Sequence, residues 1–167
     1  DFDNDGDPDV LIGRTLVASV LLENQGGRFM AVPEGRTGGP LPSLVSSVSV
    51  ADIDGDGLLD FYLSTYASSM IESVYSSQRQ EGTLGEPVLG DLVTEEEARA
   101  LGEALTSPDF SFFLDRPGPR NILLWNRGGG RFERAPASHP LSELRNTYQA
   151  SWTDFDLDGD LDLYVVN

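Results

Sequence analysis

The sequence predicts an all-β fold: four-stranded antiparallel sheets repeated as the blades of a β-propeller, interrupted by one partly helical insertion. Three observations predict it. A nine-residue Asp-rich loop recurs at 1–9, 52–60 and 154–162. Short runs of alternating apolar residues, the period of a half-buried strand, flank the loops. A Gly-rich hairpin signature recurs twice, and the first two loops begin 51 residues apart, close to the roughly 40–50 residues of a four-stranded blade.

Taken in order, the first loop runs from Asp1 to Asp9 into a strand, Val10-Leu-Ile. Leu21-Leu-Glu-Asn24-Gln-Gly-Gly-Arg28-Phe29 then reads as strand, tight turn and strand. Val45-Ser-Ser-Val48-Ser-Val50-Ala alternates into the second loop, and Phe61-Tyr-Leu63 leaves it. The hairpin signature returns as Leu123-Leu-Trp-Asn126-Arg-Gly-Gly-Gly-Arg131-Phe132. Tyr148-Gln-Ala150-Ser-Trp152-Thr leads into the third loop and Leu163-Tyr-Val-Val166 leads out. One unit is therefore strand, Asp loop, strand, strand, Gly turn, strand.

The second and third loops begin 102 residues apart, but only one hairpin signature lies between them. Residues 67–119 have no counterpart in the first unit and read as an insertion within a blade. Inside it, Thr94 and Glu97 form a capping-box pattern that opens a short amphipathic helix over 95–105, with Ala98, Leu101 and Leu105 on one face. A second helix is expected over 67–76. Pro108, Pro117, Gly118 and Pro119 return the chain to the hairpin. Residues 1–167 are thus expected to form a partial propeller of about two to three blades. The chain starts inside a motif and carries no leader segment, so we expect it to be part of a longer protein. Unseen sequence or neighbouring copies would then supply further blades, because closure needs about four or more.

Charge narrows the function. There are 28 acidic residues against 11 basic ones, a formal net charge of −17. Nucleic acid is not an expected partner, since phosphate neutralisation needs Lys/Arg patches. No apolar run approaches the ~20 residues of a membrane span. The acids are also concentrated: 14 of the 17 Asp lie in the three loops. A merely solvated acidic surface would spread them out; metal sites would gather them.

All three loops fit D-x-D-x-D-G-x-x-D. Positions 1, 3 and 5 of a tight loop can aim carboxylates at one point, Gly at position 6 allows the sharp turn, position 7 can offer its carbonyl, and Asp at position 9 closes the cage. Two carboxylates about 4 Å apart repel by roughly 4 kcal/mol at an effective dielectric of 20. A hard cation relieves that repulsion, and an all-oxygen cage suits Ca²⁺, which accepts six to eight oxygens at flexible angles. Zinc is not expected, because the chain has no Cys and a single His. An EF-hand needs Glu at position 12 and flanking helices. Position 12 is Ile12, Leu63 and Val165 here, and the flanks read as strands.

The loop with its following apolar strand resembles the FG-GAP/VCBS repeat of integrin α-subunit propellers and bacterial surface proteins. The phrases Ser151-Trp-Thr-Asp154-Phe-Asp-Leu-Asp-Gly-Asp-Leu-Asp-Leu-Tyr-Val-Val-Asn167 and Asn121-Ile-Leu-Leu-Trp-Asn126-Arg-Gly-Gly-Gly-Arg-Phe132 are similar to the cartilage-acidic-protein-like (ASPIC/UnbV-associated) branch. The resemblance covers about two thirds of the chain and leaves out the insertion. It implies one Ca²⁺ per loop, up to three in all, held by positions 1, 3, 5 and 9 and the position-7 carbonyl. The implied ligands are Asp1, Asp3, Asp5 and Asp9 with the Asp7 carbonyl in the first loop. They are Asp52, Asp54, Asp56 and Asp60 with the Leu58 carbonyl in the second, and Asp154, Asp156, Asp158 and Asp162 with the Asp160 carbonyl in the third.

Other residues read as structural. His139 precedes Pro140 in a polar connector and has no evident nucleophile partner, so Ser-His-Asp catalysis has no support. Asn24 and Asn126 serve turn geometry. Gly26-Gly27 and Gly128-Gly-Gly130 lack the Lys-Ser/Thr ending of a phosphate loop. Trp125 and Trp152 are read as packing residues on strands. Tyr62, Tyr66, Tyr75 and Phe110-Ser-Phe112-Phe113 lie on or beside the insertion, either anchoring it or offering a binding surface.

The expected function is a calcium-stabilised extracellular module, secreted or on a cell surface, serving adhesion, surface or matrix assembly, or protein interaction. Its partner would be a protein or glycan ligand, or further blades or copies. It is not expected to be an enzyme. The alternative is the scaffold of a carbohydrate-active enzyme such as a polysaccharide lyase, which would need an acid/base cluster that the sequence does not display.

Overall fold

The computed structural model describes residues 1–67, 92–99 and 118–167. Among these, nine strands run in chain order: β1 (Val10–Ile12), β2 (Val20–Gln25), β3 (Arg28–Ala31), β4 (Val45–Ala51), β5 (Asp60–Thr65), β6 (Ile122–Asn126), β7 (Phe132–Arg134), β8 (Gln149–Thr153) and β9 (Asp162–Val166). They form three antiparallel sheets: the three-stranded β1-β2-β3, the four-stranded β4-β5-β6-β7, and the two-stranded β8-β9. The fold is all-β and propeller-like, as the repeat predicts.

Each predicted hairpin forms where the glycines allow it. Gly26 and Gly27 both have positive φ and close β2 onto β3 with Asn24 opposite Phe29. Gly128 to Gly130 do the same for β6 and β7, with Asn126 opposite Phe132. In the four-stranded sheet the Asp loop joins β4 to β5, and residues 66–121 separate β5 from β6, which nonetheless pair directly through Phe61↔Leu124 and Leu63↔Ile122. Of the expected helix over 95–105, residues 95–99 are described and are helical. The capping box closes there. The Thr94 N–H donates to Glu97 Oε2 at 2.7 Å, and the Glu97 N–H donates back to Thr94 Oγ1 at 3.3 Å. Residues 100–105, nearly all of the expected helix over 67–76, and Tyr75 with Phe110 to Phe113 lie outside the described residues.

Packing follows from strand alternation. On β5, Phe61 and Leu63 face one way and Tyr62 the other; on β6, Ile122 and Leu124 oppose Leu123. The first set meets Phe2, Leu21 and Leu11 of the preceding unit, with Phe132 between the rings of Phe2 and Phe61 at 5.5 and 5.3 Å. The second set meets Ala150, Trp152 and Leu163 of the following unit, and Tyr62 lies edge-on to Trp152 at 6.2 Å. Both tryptophans pack in this second cluster, as predicted. The middle sheet is thus sandwiched between its neighbours. Polar ties cross the same boundaries: Arg36 joins Glu23 at 2.6 Å and donates from Nε to the Gly130 carbonyl at 2.7 Å. The Thr147 N–H donates to the Thr65 carbonyl at 2.9 Å, and Ser46 Oγ donates to the Thr147 carbonyl at 2.6 Å.

Candidate metal centre

The three Asp loops share one backbone. Gly6, Gly57 and Gly159 at position 6 all have φ between +86° and +99°, a region open to glycine at no steric cost. Position 4 is left-handed too: Asn4 at +60°, Gly55 at +74° and Leu157 at +63°. Asn and Gly tolerate this, whereas Leu157 is held there by the loop.

Side chains repeat as closely as the backbone. The position-1 carboxylate accepts from the N–H of positions 5 and 6, at 3.1 and 3.0 Å for Asp1, 3.0 and 2.9 Å for Asp52, and 3.2 and 3.1 Å for Asp154. The position-5 carboxylates of Asp5, Asp56 and Asp158 accept from the N–H of Asp7, Leu58 and Asp160 at 2.8 to 3.0 Å. Asp at position 9 reaches back across the loop. Asp9, Asp60 and Asp162 accept from the N–H of Phe2, Ile53 and Phe155 at 2.7, 3.1 and 3.3 Å.

These bonds turn the carboxylates inward. In each loop three of them bring one oxygen apiece to within 4.8 Å of the others: Asp1, Asp3 and Asp5; Asp52, Asp54 and Asp60; Asp154, Asp156 and Asp162. The fourth carboxylates, Asp9, Asp56 and Asp158, lie outside these triads and are held by the backbone bonds above. At position 7 the Asp7 side chain turns to the first hairpin, accepting from the Gly26 N–H at 2.9 Å, while Leu58 and Asp160 serve the loop through their own N–H groups. Oxygens bound to a single Ca²⁺ at about 2.3–2.6 Å can be at most about 5 Å apart, so the triads fit that ion's size. Two carboxylates at such spacing repel by about 1 kcal/mol in water and about 3–4 kcal/mol at an effective dielectric of 20. Burial raises the Asp60 carboxyl above its ordinary range, against the backbone bonds from Asn126 and Ile53, and Asp54 and Asp56 raise it further. Asp3 is raised likewise, by burial and then by Asp5, Asp9 and Glu23.

Strands, not helices, flank the second and third loops, and Ile12, Leu63 and Val165 at position 12 are strand residues. The EF-hand is excluded by geometry as by sequence.

The hairpin asparagines do more than shape turns. The Asn24 N–H donates to Asp9 Oδ1 at 2.8 Å and the Asn126 N–H to Asp60 Oδ1 at 2.7 Å. Their amides then bond the loop's position-8 carbonyl, Pro8 at 3.0 Å and Leu59 at 3.2 Å, while each Oδ1 accepts from its own Gly turn. Asn126 Nδ2 also reaches the Phe2 carbonyl of the preceding loop at 2.6 Å. The signal was present, as an Asn at one fixed place in both hairpins, but its partner is 15 residues away in one unit and 66 in the other. Arg127 adds a contact with no counterpart in the first unit, an ion pair to Asp54 at 3.0 Å. His139 serves the backbone: its Nδ1 accepts from the Leu141 N–H at 3.2 Å, and its ring lies edge-on to Trp125.

Comparison with curated proteins gave no match, and comparison with solved structures gave none. A family model described as the FG-GAP-like repeat matches residues 1–63 and 108–165, more than two thirds of the chain. The matched segments hold all three loops and both hairpins, which the structure joins into like units. The chain therefore belongs to the FG-GAP-like repeat family.

Proposed function

We propose that this protein is a calcium-stabilised interaction module, similar within its family to integrin α propellers and the cartilage-acidic-protein-like branch. Family membership carries the coarser part, a β-propeller-like repeat unit of a kind that serves protein interaction. One observation carries the metal: three loops with the same backbone each bring three carboxylate oxygens to within 4.8 Å of one another, inside the span of a Ca²⁺ coordination shell. No Cys or second His competes for a softer ion.

The ion's role is structural. Each loop joins, or leads into, strands of a sheet, so cation binding neutralises the triad and fixes the strand crossing. Its binding free energy becomes folding free energy. Extracellular calcium, at millimolar levels, fills even weak sites of this type, which supports a secreted or cell-surface location. The loop carboxylates are assigned to the metal rather than to acid/base chemistry, so the module acts by binding, not catalysis. Among the described residues no helix is long and apolar enough to cross a membrane.

Calorimetric titration of chelator-treated protein with Ca²⁺, paired with thermal unfolding, tests this. Uptake of up to three equivalents with a rise in Tm is expected. Absence of binding heat together with an unchanged Tm would refute it.

A further inference from the structure

The second Asp loop carries a cation of its own. Arg127, the residue after Asn126 at the end of β6, donates from Nη1 to Asp54 Oδ2 at 3.0 Å. Asp54 is one of the three carboxylates that converge in this loop. Further contacts hold the guanidinium in place: its Nε donates to Glu133 Oε2 at 2.9 Å, and it lies over the Trp125 ring at 5.4 Å. Trp125 and Glu133 are paired across β6 and β7, so the hairpin presents Arg127 to the loop from a fixed base.

The first unit offers the contrast. There the residue after the hairpin Asn is Gln25, which is neutral, and its amide donates to Glu23 at 2.8 Å and not to the loop. The position-3 carboxylates differ in step. Asp3 accepts from the Asp5 N–H and Asp156 from the Asp158 N–H, both at 3.3 Å. Among the described residues Asp54 has no such bond: the Asp56 N–H donates to Asp52, and Asp54 is held by Arg127. Arg127 has thus taken the place of the loop's own backbone at one carboxylate of the triad.

We propose that Arg127 is a resident counter-ion that competes with calcium for the second loop and sets its affinity below what the carboxylates alone would give. A divalent ion entering the triad meets a guanidinium that already neutralises one of its ligands, and like charges at short range repel. Binding therefore costs the Arg127–Asp54 pair, while Glu133 and Trp125 remain as partners for the released guanidinium. Both ends of the pair are partly exposed, so water screens it and the effect on affinity is about two- to fivefold. The second loop is thereby partly neutralised when calcium is scarce and loads at a higher concentration than it would with Gln in place. The proposal deepens the calcium reading above and rests on it.

Arg127→Gln, which imports the residue of the first hairpin, tests it in the full chain. The N–H groups of Gly6, Gly57 and Gly159 each donate to the position-1 carboxylate of their own loop, so heteronuclear NMR at these amides reports the three loops separately. Titration is with Ca²⁺ against a competing chelator. In the variant the Gly57 midpoint should move to about two- to fivefold lower free calcium, while Gly6 and Gly159 titrate as in wild type. Arg127→Lys keeps the charge and should leave Gly57 near its wild-type midpoint; a Lys variant that titrates as the Gln variant does would overturn the competition by charge. A Gly57 midpoint unmoved by Arg127→Gln, with all three glycines responding, would overturn this proposal alone. A midpoint moved to higher calcium would do so too, since Arg127 would then position Asp54 for the metal. No response at any of the three glycines, in wild type included, would sink the calcium reading and this proposal with it.

Discussion

Replacing Asp60 by Ala separates the loop's structural chemistry from its charge. Asp60 is 1% exposed and accepts two backbone bonds, from Asn126 at 2.7 Å and Ile53 at 3.1 Å. Burial, with the neighbouring Asp54 and Asp56, raises its pKa, so for the ionised form these outweigh the two bonds. What Asp60→Ala removes is the partner of two N–H groups, and a buried donor left unpaired costs about 1–3 kcal/mol. Asp60→Ala should therefore cost about 2–3 kcal/mol in chelator, chiefly at the buried Asn126 N–H. Asp162 occupies the same motif position but makes a single 3.3 Å bond to Phe155 in an exposed loop. Its replacement by Ala should cost less than about 1 kcal/mol in chelator. Urea unfolding of both variants, with chelator and with millimolar calcium, measures the contrast. In calcium both should lose further stability relative to wild type, by the lost binding term. Equal costs for the two in chelator would refute the claim that Asp60 ties the loop to the hairpin.

Other perturbations follow from the same geometry. Phe2→Ala should cost about 3–5 kcal/mol by cavity formation, while Phe155→Ala, at an exposed site, should stay within about 0.5 kcal/mol in dilute monomer; thermal melts distinguish them. Asn126→Ala should cost about 2–3 kcal/mol, since it removes side-chain bonds to the Phe2 and Leu59 carbonyls and to the Gly turn. Leu157→Asn should stabilise the protein by about 0.5–1 kcal/mol, because an exposed Leu at φ +63° gives way to a residue that tolerates the left-handed region. Stability should also depend on pH. Raised carboxyls at Asp60 and Asp3 mean that the fold favours their protonated forms. Their contribution is complete below the unfolded value, near 4, and is lost as pH rises through the folded value. Melting in chelator should therefore weaken as pH climbs out of that range. Calcium should remove this loss, and Asp60→Asn should reduce it.

The repeat itself was legible without coordinates. Strand alternation, glycine at position 6 and the Asn-Gly hairpins are local requirements of backbone conformation, so residue type alone reports them. The three loops, both hairpins, the Thr94–Glu97 cap and the packing role of the tryptophans all belong to this class. What spacing could not convey was which units touch and through what. The tie from Asn126 to Asp60 and Phe2, the ion pair of Arg127 with Asp54, and the burial of Phe2 against the exposure of Phe155 depend on neighbours far apart in sequence. Identical motifs acquire their environments because each sheet packs on the next: Phe2, at position 2 of its loop, is core because the following sheet receives it. Local chemistry wrote the loops; the order in which sheets stack decided which of their side chains became interior.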